Sequence, residues 1–179
     1  DRIDSLSLMP YVARERSYRA LAKYSLYQFK KPMATYQVPF KIREVGDSTQ
    51  LLFFAEGQIN GHKGSFVLDT GASYNVITPD LAAAYGLKPI GGSTQVRGIK
   101  MLEGQIALAE NLQLGDLELR NVPFLVLDLQ KGNKLPEHSM ASLKLIVGQA
   151  LLRQFASCTF DFAQDTLTLC PSTPAADDV

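Results

Sequence analysis

The chain has 179 residues, 46% of them hydrophobic and 20% charged, and its 18 basic and 18 acidic side chains cancel to a formal net charge of zero. That length suits one domain, or one domain with an arm, and the composition is that of an ordinary globular protein rather than a disordered or membrane-embedded one. No global field favours nucleic acid, and the longest apolar runs, LLFFA and VPFLVL, fall far short of the ~20 residues a spanning helix needs.

The first residue is Asp1, not methionine, so either a leader has been removed or the chain has been trimmed. Residues 1–36 read as a basic arm. Between Pro10 and Lys31 there are six Lys or Arg against one Glu, interleaved with Tyr, Leu and Phe. The spacing of Val12, Tyr18, Leu21, Ala22 and Leu26 predicts a helix with one apolar side, and Pro32 would end it. Such a helix can be a solvated surface element, an arm that covers a site or buttresses an assembly, or a segment adsorbed to anionic lipid. Membrane association stays open on these grounds.

From Gln37 the pattern turns to strands. Val38, Phe40 and Ile42 alternate with polar residues, and LLFF at 51–54 follows. Asn60-Gly61 is a strong hairpin signal, predicted to pair Gln58-Ile59 with Phe66–Leu68. A short strand is predicted over 74–77. Thr78-Pro79-Asp80 then opens a helix that Gly86 closes. Residues 91–106 are dotted with glycine and predict a hairpin. Gly115-Asp116 joins NLQL to LEL, VPFLVL is a further strand, and a polar loop covers roughly 128–142. LKLIVG precedes a short helix over 150–155.

The last hairpin is CTFDF-AQ-DTLTLC, predicted to turn at Gln164-Asp165 with Phe162 opposite Leu167 and Phe160 opposite Leu169. That register puts Cys158 and Cys170 on opposite faces and argues against a disulfide between them. The compartment is therefore not fixed by cysteine usage. Residues 171–179 are a tail or linker.

The stretch FVLDTGAS, residues 66–73, places one carboxylate straight after three large apolar residues. A half-buried aspartate is costly unless compensated. Gly71 lets another backbone come close and donate an N–H to Asp69, and Thr70 can turn its hydroxyl inward to anchor the loop. Composition alone would give a DTG triplet in about a few per cent of chains this long, so its surroundings decide. It lies between two apolar strands, and a distant Leu145-Ile146-Val147-Gly148 leads into the helix LLRQF. His62 and His138 stand far from the cysteines and form no zinc pattern. Asn75 occupies the place of the second glycine of a nucleophile elbow, which disfavours a serine hydrolase. No phosphate-cradling glycine loop is present.

Strand, DTG, strand and a remote apolar-apolar-Gly before a helix resemble the retropepsin-like aspartic peptidases over about residues 38–170. The resemblance implies a mostly β, closed-barrel-like fold with one or two short helices, carried by a peptidase domain at 37–170. It implies Asp69 as the catalytic acid–base group, with Thr70, Gly71 and Ala72 supporting its loop. Ile146, Val147 and Gly148 would form a psi-shaped loop beneath it. A flap would cover the substrate, with Gly98 the first choice for its tip and Gly91-Gly92 the second.

With one DTG per chain, the resemblance further implies a C2 homodimer, two aspartates sharing a proton and a water. It implies an endopeptidase acting on extended polypeptides, with no cofactor and no metal. Ala72 stands where pepsin-like enzymes carry serine, which implies activity nearer neutral pH. Gln149-Ala150 replaces the Arg-Asn/Asp of retroviral enzymes, so the ion pair that Arg makes near their dimer interface is missing. Family habit and the absent initiator methionine favour a bacterial periplasmic, envelope or secreted setting. Two rival readings remain: a non-catalytic dimerisation or peptide-binding module on the same fold, and a half-domain completed by a different chain or by a missing region.

Overall fold

The structure, a computed structural model, describes residues 28–44, 51–97, 101–128 and 143–171. The part of the predicted helix before residue 28, the expected flap tip Gly98, most of the 128–142 loop and the tail from 172 lie outside those residues.

Strands β1 (Gln28–Phe29), β3 (Lys41–Glu44), β4 (Leu51–Ile59), β5 (His62–Leu68), β6 (Val76–Ile77), β7 (Lys88–Arg97), β8 (Met101–Leu114), β9 (Leu117–Val126) and β10 (Leu145–Val147) make one nine-stranded sheet. Following neighbours from β9 through β6, β10, β5, β4 and β8 returns to β9, so six strands close a barrel. A second sheet joins β2 (Tyr36–Pro39), β12 (Thr166–Pro171) and β11 (Phe155–Asp161), with β12 in the middle. Two short helices, α1 (Pro79–Ala84) and α2 (Gln149–Leu152), complete the described part. The mostly β, closed-barrel expectation holds.

Apolar side chains fill the barrel because strands expose alternate residues to opposite faces. Ile59, Phe66, Leu112, Leu114, Leu117, Leu119, Phe124 and Val147 are fully enclosed in one cluster. A second cluster gathers Phe54, Val67, Val76, Leu125, Leu127 and Ile146. Phe66 and Leu68 therefore face one cluster and Val67 the other. This explains the run of three apolar residues before Asp69: β5 lies between β4 and β10 and is covered on both faces.

Local chemistry sets most of the turns. Asn60 (φ 51°) and Gly61 (φ 83°) both take left-handed backbone, the pattern of a two-residue turn whose twist suits a hairpin. The turn forms as predicted, but its register is tighter. Gln58 and Ile59 pair with Lys63 and His62, while Phe66 pairs with Ala55 and Val67 with Phe54. NLQL and LEL meet across Gly115-Asp116, and VPFLV continues the same strand as LEL rather than forming a separate one. Pro79 opens α1, and Gly86 (φ 65°) ends it.

Three further expectations are corrected. Gln28-Phe29, expected at the end of a helix, is a strand paired with Arg120 and Leu119 of β9. Its neighbourhood overrides helical spacing: Phe29 stacks on Tyr36 with centroids 5.5 Å apart, and the Tyr36 hydroxyl donates to Lys31 O at 3.0 Å while accepting from Met33 N. The α2 helix stops at Leu152, because Phe155 is already in the β11 ladder opposite Pro171.

In the last hairpin Phe160, not Phe162, lies opposite Leu167, and Cys158 lies opposite Leu169. The shift follows from a four-residue turn. Asp161 Oδ1 accepts from the N–H groups of Ala163 and Gln164 at 2.9 and 3.0 Å, and Asp165 adopts φ 47°. Cys170 faces Ser157 across the ladder, so the two free thiols stay on opposite faces. Burial, with Cys170 close by, pushes the Cys158 thiol above its ordinary range, and its Sγ donates to Leu152 O at 3.3 Å.

Phe162 at that turn is 61% exposed, whereas Phe124 is fully buried. Phe124→Ala should destabilise the fold by about 3–5 kcal/mol, and Phe162→Ala, which loses ring contacts with Phe40, Phe53 and Phe160, should cost only about 0.5–1.5 kcal/mol. Urea midpoints with unchanged slopes check both.

Candidate active site

Asp69 is the first residue past β5, and three segments meet around it. Its own N–H donates to Val147 O at 2.9 Å, extending the parallel pairing of Val67 with Ile146 and Leu68 with Val147. On its other edge β10 runs antiparallel to β6, with Leu145 opposite Ile77 and Ile146 opposite Val76. The segment that ends in Gly148 thus threads between the strands that enter and leave the Asp69 loop.

The loop closes on its own carboxylate. Gly71 N donates to Asp69 Oδ1 at 2.8 Å and Ala72 N donates to the same oxygen at 3.2 Å. Two main-chain donors on one oxygen fix the carboxylate's direction. Among the described residues Oδ2 takes no hydrogen bond, and Asp69 is half-buried rather than sealed in the core. The group can therefore present one oxygen to a second reactant.

The expected support residues divide. Gly71 and Ala72 hold the carboxylate through their N–H groups. Thr70 is exposed, and it is its carbonyl that anchors the loop, accepting from Gln149 Nε2 at 2.7 Å. Ile146 and Val147 are buried beside the loop, Ile146 in the cluster that also holds Val67 and Val76. Gly148 is required by close approach: a Cβ there would lie 2.3 Å from Tyr74 O and 2.6 Å from Ala72 O. Gly91 and Gly92 sit within β7 at the irregularity between Pro89 and Ser93, not at the turn of that hairpin. The last described pair of that hairpin is Arg97 with Met101, and Gly98 lies outside the described residues.

Two contributors were not read from the sequence as part of the site. Asn75 is 1% exposed, and its carboxamide spans the back of the loop. Its Oδ1 accepts from Gly148 N at 3.1 Å, and its Nδ2 donates to Pro123 O at 3.1 Å. The signal was a polar residue inside the apolar strand SYNVI, where a buried amide needs partners on both ends. Gln149 is the other. It grips Ala72 O through its main-chain N–H at 2.8 Å as well as Thr70 O through its side chain. Among the described residues no group of three or more His, Cys, Asp or Glu could hold a metal ion, and no helix is long and apolar enough to cross a membrane.

The site is a carboxylate presented from a main-chain cradle at a barrel strand's end, with a second segment threaded beneath it. The family model described as aspartyl protease matches residues 55–149, just over half of the 179 residues, and the chain belongs to that family. Among solved structures it is similar to a retropepsin-like aspartic protease from Rickettsia conorii, at 20% identity and a TM-score of 0.48 over 79% of this chain and 96% of that one. It is also similar to the retroviral protease-like domain of Ddi1 from Leishmania major, at 17% identity and a TM-score of 0.49 over 73% of this chain and 99% of the other. No curated protein matches the chain.

Asn75→Leu would leave the buried Gly148 N–H and Pro123 C=O without partners. It should cost about 2–5 kcal/mol, and Gly148→Ala should cost at least about 1–3 kcal/mol through overpacking. Both are read from denaturant midpoints.

Proposed function

We propose that the chain is an aspartic endopeptidase that cleaves extended polypeptides, with an active site completed by a second copy of itself. The observation that carries the reading is the Asp69 carboxylate, held by Gly71 and Ala72 N–H groups at the end of β5 in a member of the aspartyl protease family. One DTG triplet occurs in the sequence. A two-fold axis beside it brings the partner's carboxylate close, and like charges so near favour a shared proton.

The ionised member takes a proton from water as it attacks the scissile carbonyl, and the protonated member donates to the carbonyl oxygen. The amide becomes a tetrahedral gem-diol, which collapses to acid and amine as a proton passes to the leaving nitrogen. The β7–β8 hairpin is the element that would fold over the peptide, with Gly98 at its tip, giving backbone hydrogen bonds to an extended strand. Ala72 in place of serine removes a hydroxyl from the neighbourhood of the carboxylates and suits work nearer neutral pH.

Asp69→Asn is expected to lower kcat/KM on an unfolded polypeptide by about 10²–10⁴-fold while leaving subunit association intact. Cleavage that survives the substitution would contradict the mechanism. Sedimentation of the active protein should give a dimer, and a strict monomer with full activity would remove the two-fold site. Wild-type protein that dimerises but cuts nothing would favour the peptide-binding module. A pH–rate profile peaking below about pH 4 would refute the part assigned to Ala72.

A further inference from the structure

We propose that Gln149 is a positioning residue for this reaction, acting on Asp69 through the Thr70–Gly71 peptide. The kinetic consequence rests on the peptidase reading above; the geometry does not. The Thr70 C=O and the Gly71 N–H belong to one planar trans unit and point in opposite directions. On one side, Gln149 Nε2 donates to Thr70 O at 2.7 Å. On the other, Gly71 N donates to Asp69 Oδ1 at 2.8 Å. The side chain 79 residues away thus sets the tilt of the peptide that orients the carboxylate.

The link is electronic as well as geometric. A carbonyl that accepts a hydrogen bond polarises its peptide, and the N–H of that unit becomes a stronger donor. Gln149 also holds the far side of the turn, since its main-chain N–H donates to Ala72 O at 2.8 Å. Gly71 is therefore bracketed by two carbonyls that answer to one residue. Gln149 is itself fixed at the start of α2, directly after Gly148, which Asn75 pins from behind. The residue that stands in place of the retroviral arginine keeps its side chain within its own chain and latches the loop there.

The test compares wild type, Gln149→Met and Gln149→Glu in two readouts. Amide hydrogen exchange at Gly71 reports the latch whether or not the protein cleaves peptides, and steady-state proteolysis reports its consequence. Gln149→Met keeps the length and removes the donor. It is expected to speed Gly71 exchange about tenfold, with β4 and β5 amides unchanged, and to lower kcat on the order of tenfold with KM little altered. Gln149→Glu should behave like the Met variant at pH 7, where a carboxylate has no proton to donate. It should approach wild type below about pH 4, where the protonated acid regains an O–H for Thr70 O. Equal Gly71 exchange in all three proteins overturns the proposal, as does a Glu variant whose kcat deficit is the same at every pH. Latch-dependent exchange in a wild type that cleaves nothing would uphold the latch and overturn the peptidase reading instead.

Discussion

The contact on which the site depends is the close approach of the 147–149 turn to the 69–72 loop. Val147 O, Gln149 N and Gln149 Nε2 make three hydrogen bonds to that loop, and they form only because Gly148 has no side chain. A methyl at Gly148 would fall inside the contact distance of two carbonyl oxygens. This constraint joins parts of the chain more than seventy residues apart. It also leaves buried polar groups that need partners, and Asn75 supplies them on the hidden side.

The rest of the barrel serves that contact. Placing β10 between β5 and β6 requires strands covered on both faces, hence the unbroken apolar runs FVL and LIV and the two separate apolar clusters. At the barrel's edge the chain leaves one half-buried carboxylate whose Oδ2 takes no hydrogen bond among the described residues, and in the proposed reaction it is half of an acid–base pair. With a single DTG in the sequence, the proposed activity is tied to association. Control of that association would then be control of catalysis.

Much of this was legible in the sequence because the signals were local. Asn60-Gly61, Gly115-Asp116 and Thr78-Pro79-Asp80 carry their own backbone preferences, and each forms the turn or helix start expected of it. Asp69, Gly71 and Gly148 stood out because acid and glycine at the ends of apolar strands need a reason. What failed depended on partners distant in the chain. Gln28-Phe29 fits a helical stripe, yet β9 offers it a ladder and Tyr36 a stacking surface. The last hairpin slipped by two residues because Asp161 builds a longer turn through its own side chain. Asn75 and Gln149 were read only as mismatches to other motifs, since a carboxamide's use is defined by the groups that the fold brings to it.

The central claim is that each active site needs two Asp69 carboxylates, one from each subunit. Mixed dimers test it most directly. When wild-type and Asp69→Asn subunits are refolded together in equal amounts, random pairing leaves about a quarter of the dimers with both acids. The account predicts that activity follows the square of the wild-type fraction. Activity that falls in simple proportion to it would mean that each chain works with its own aspartate alone, and the two-fold site would be wrong.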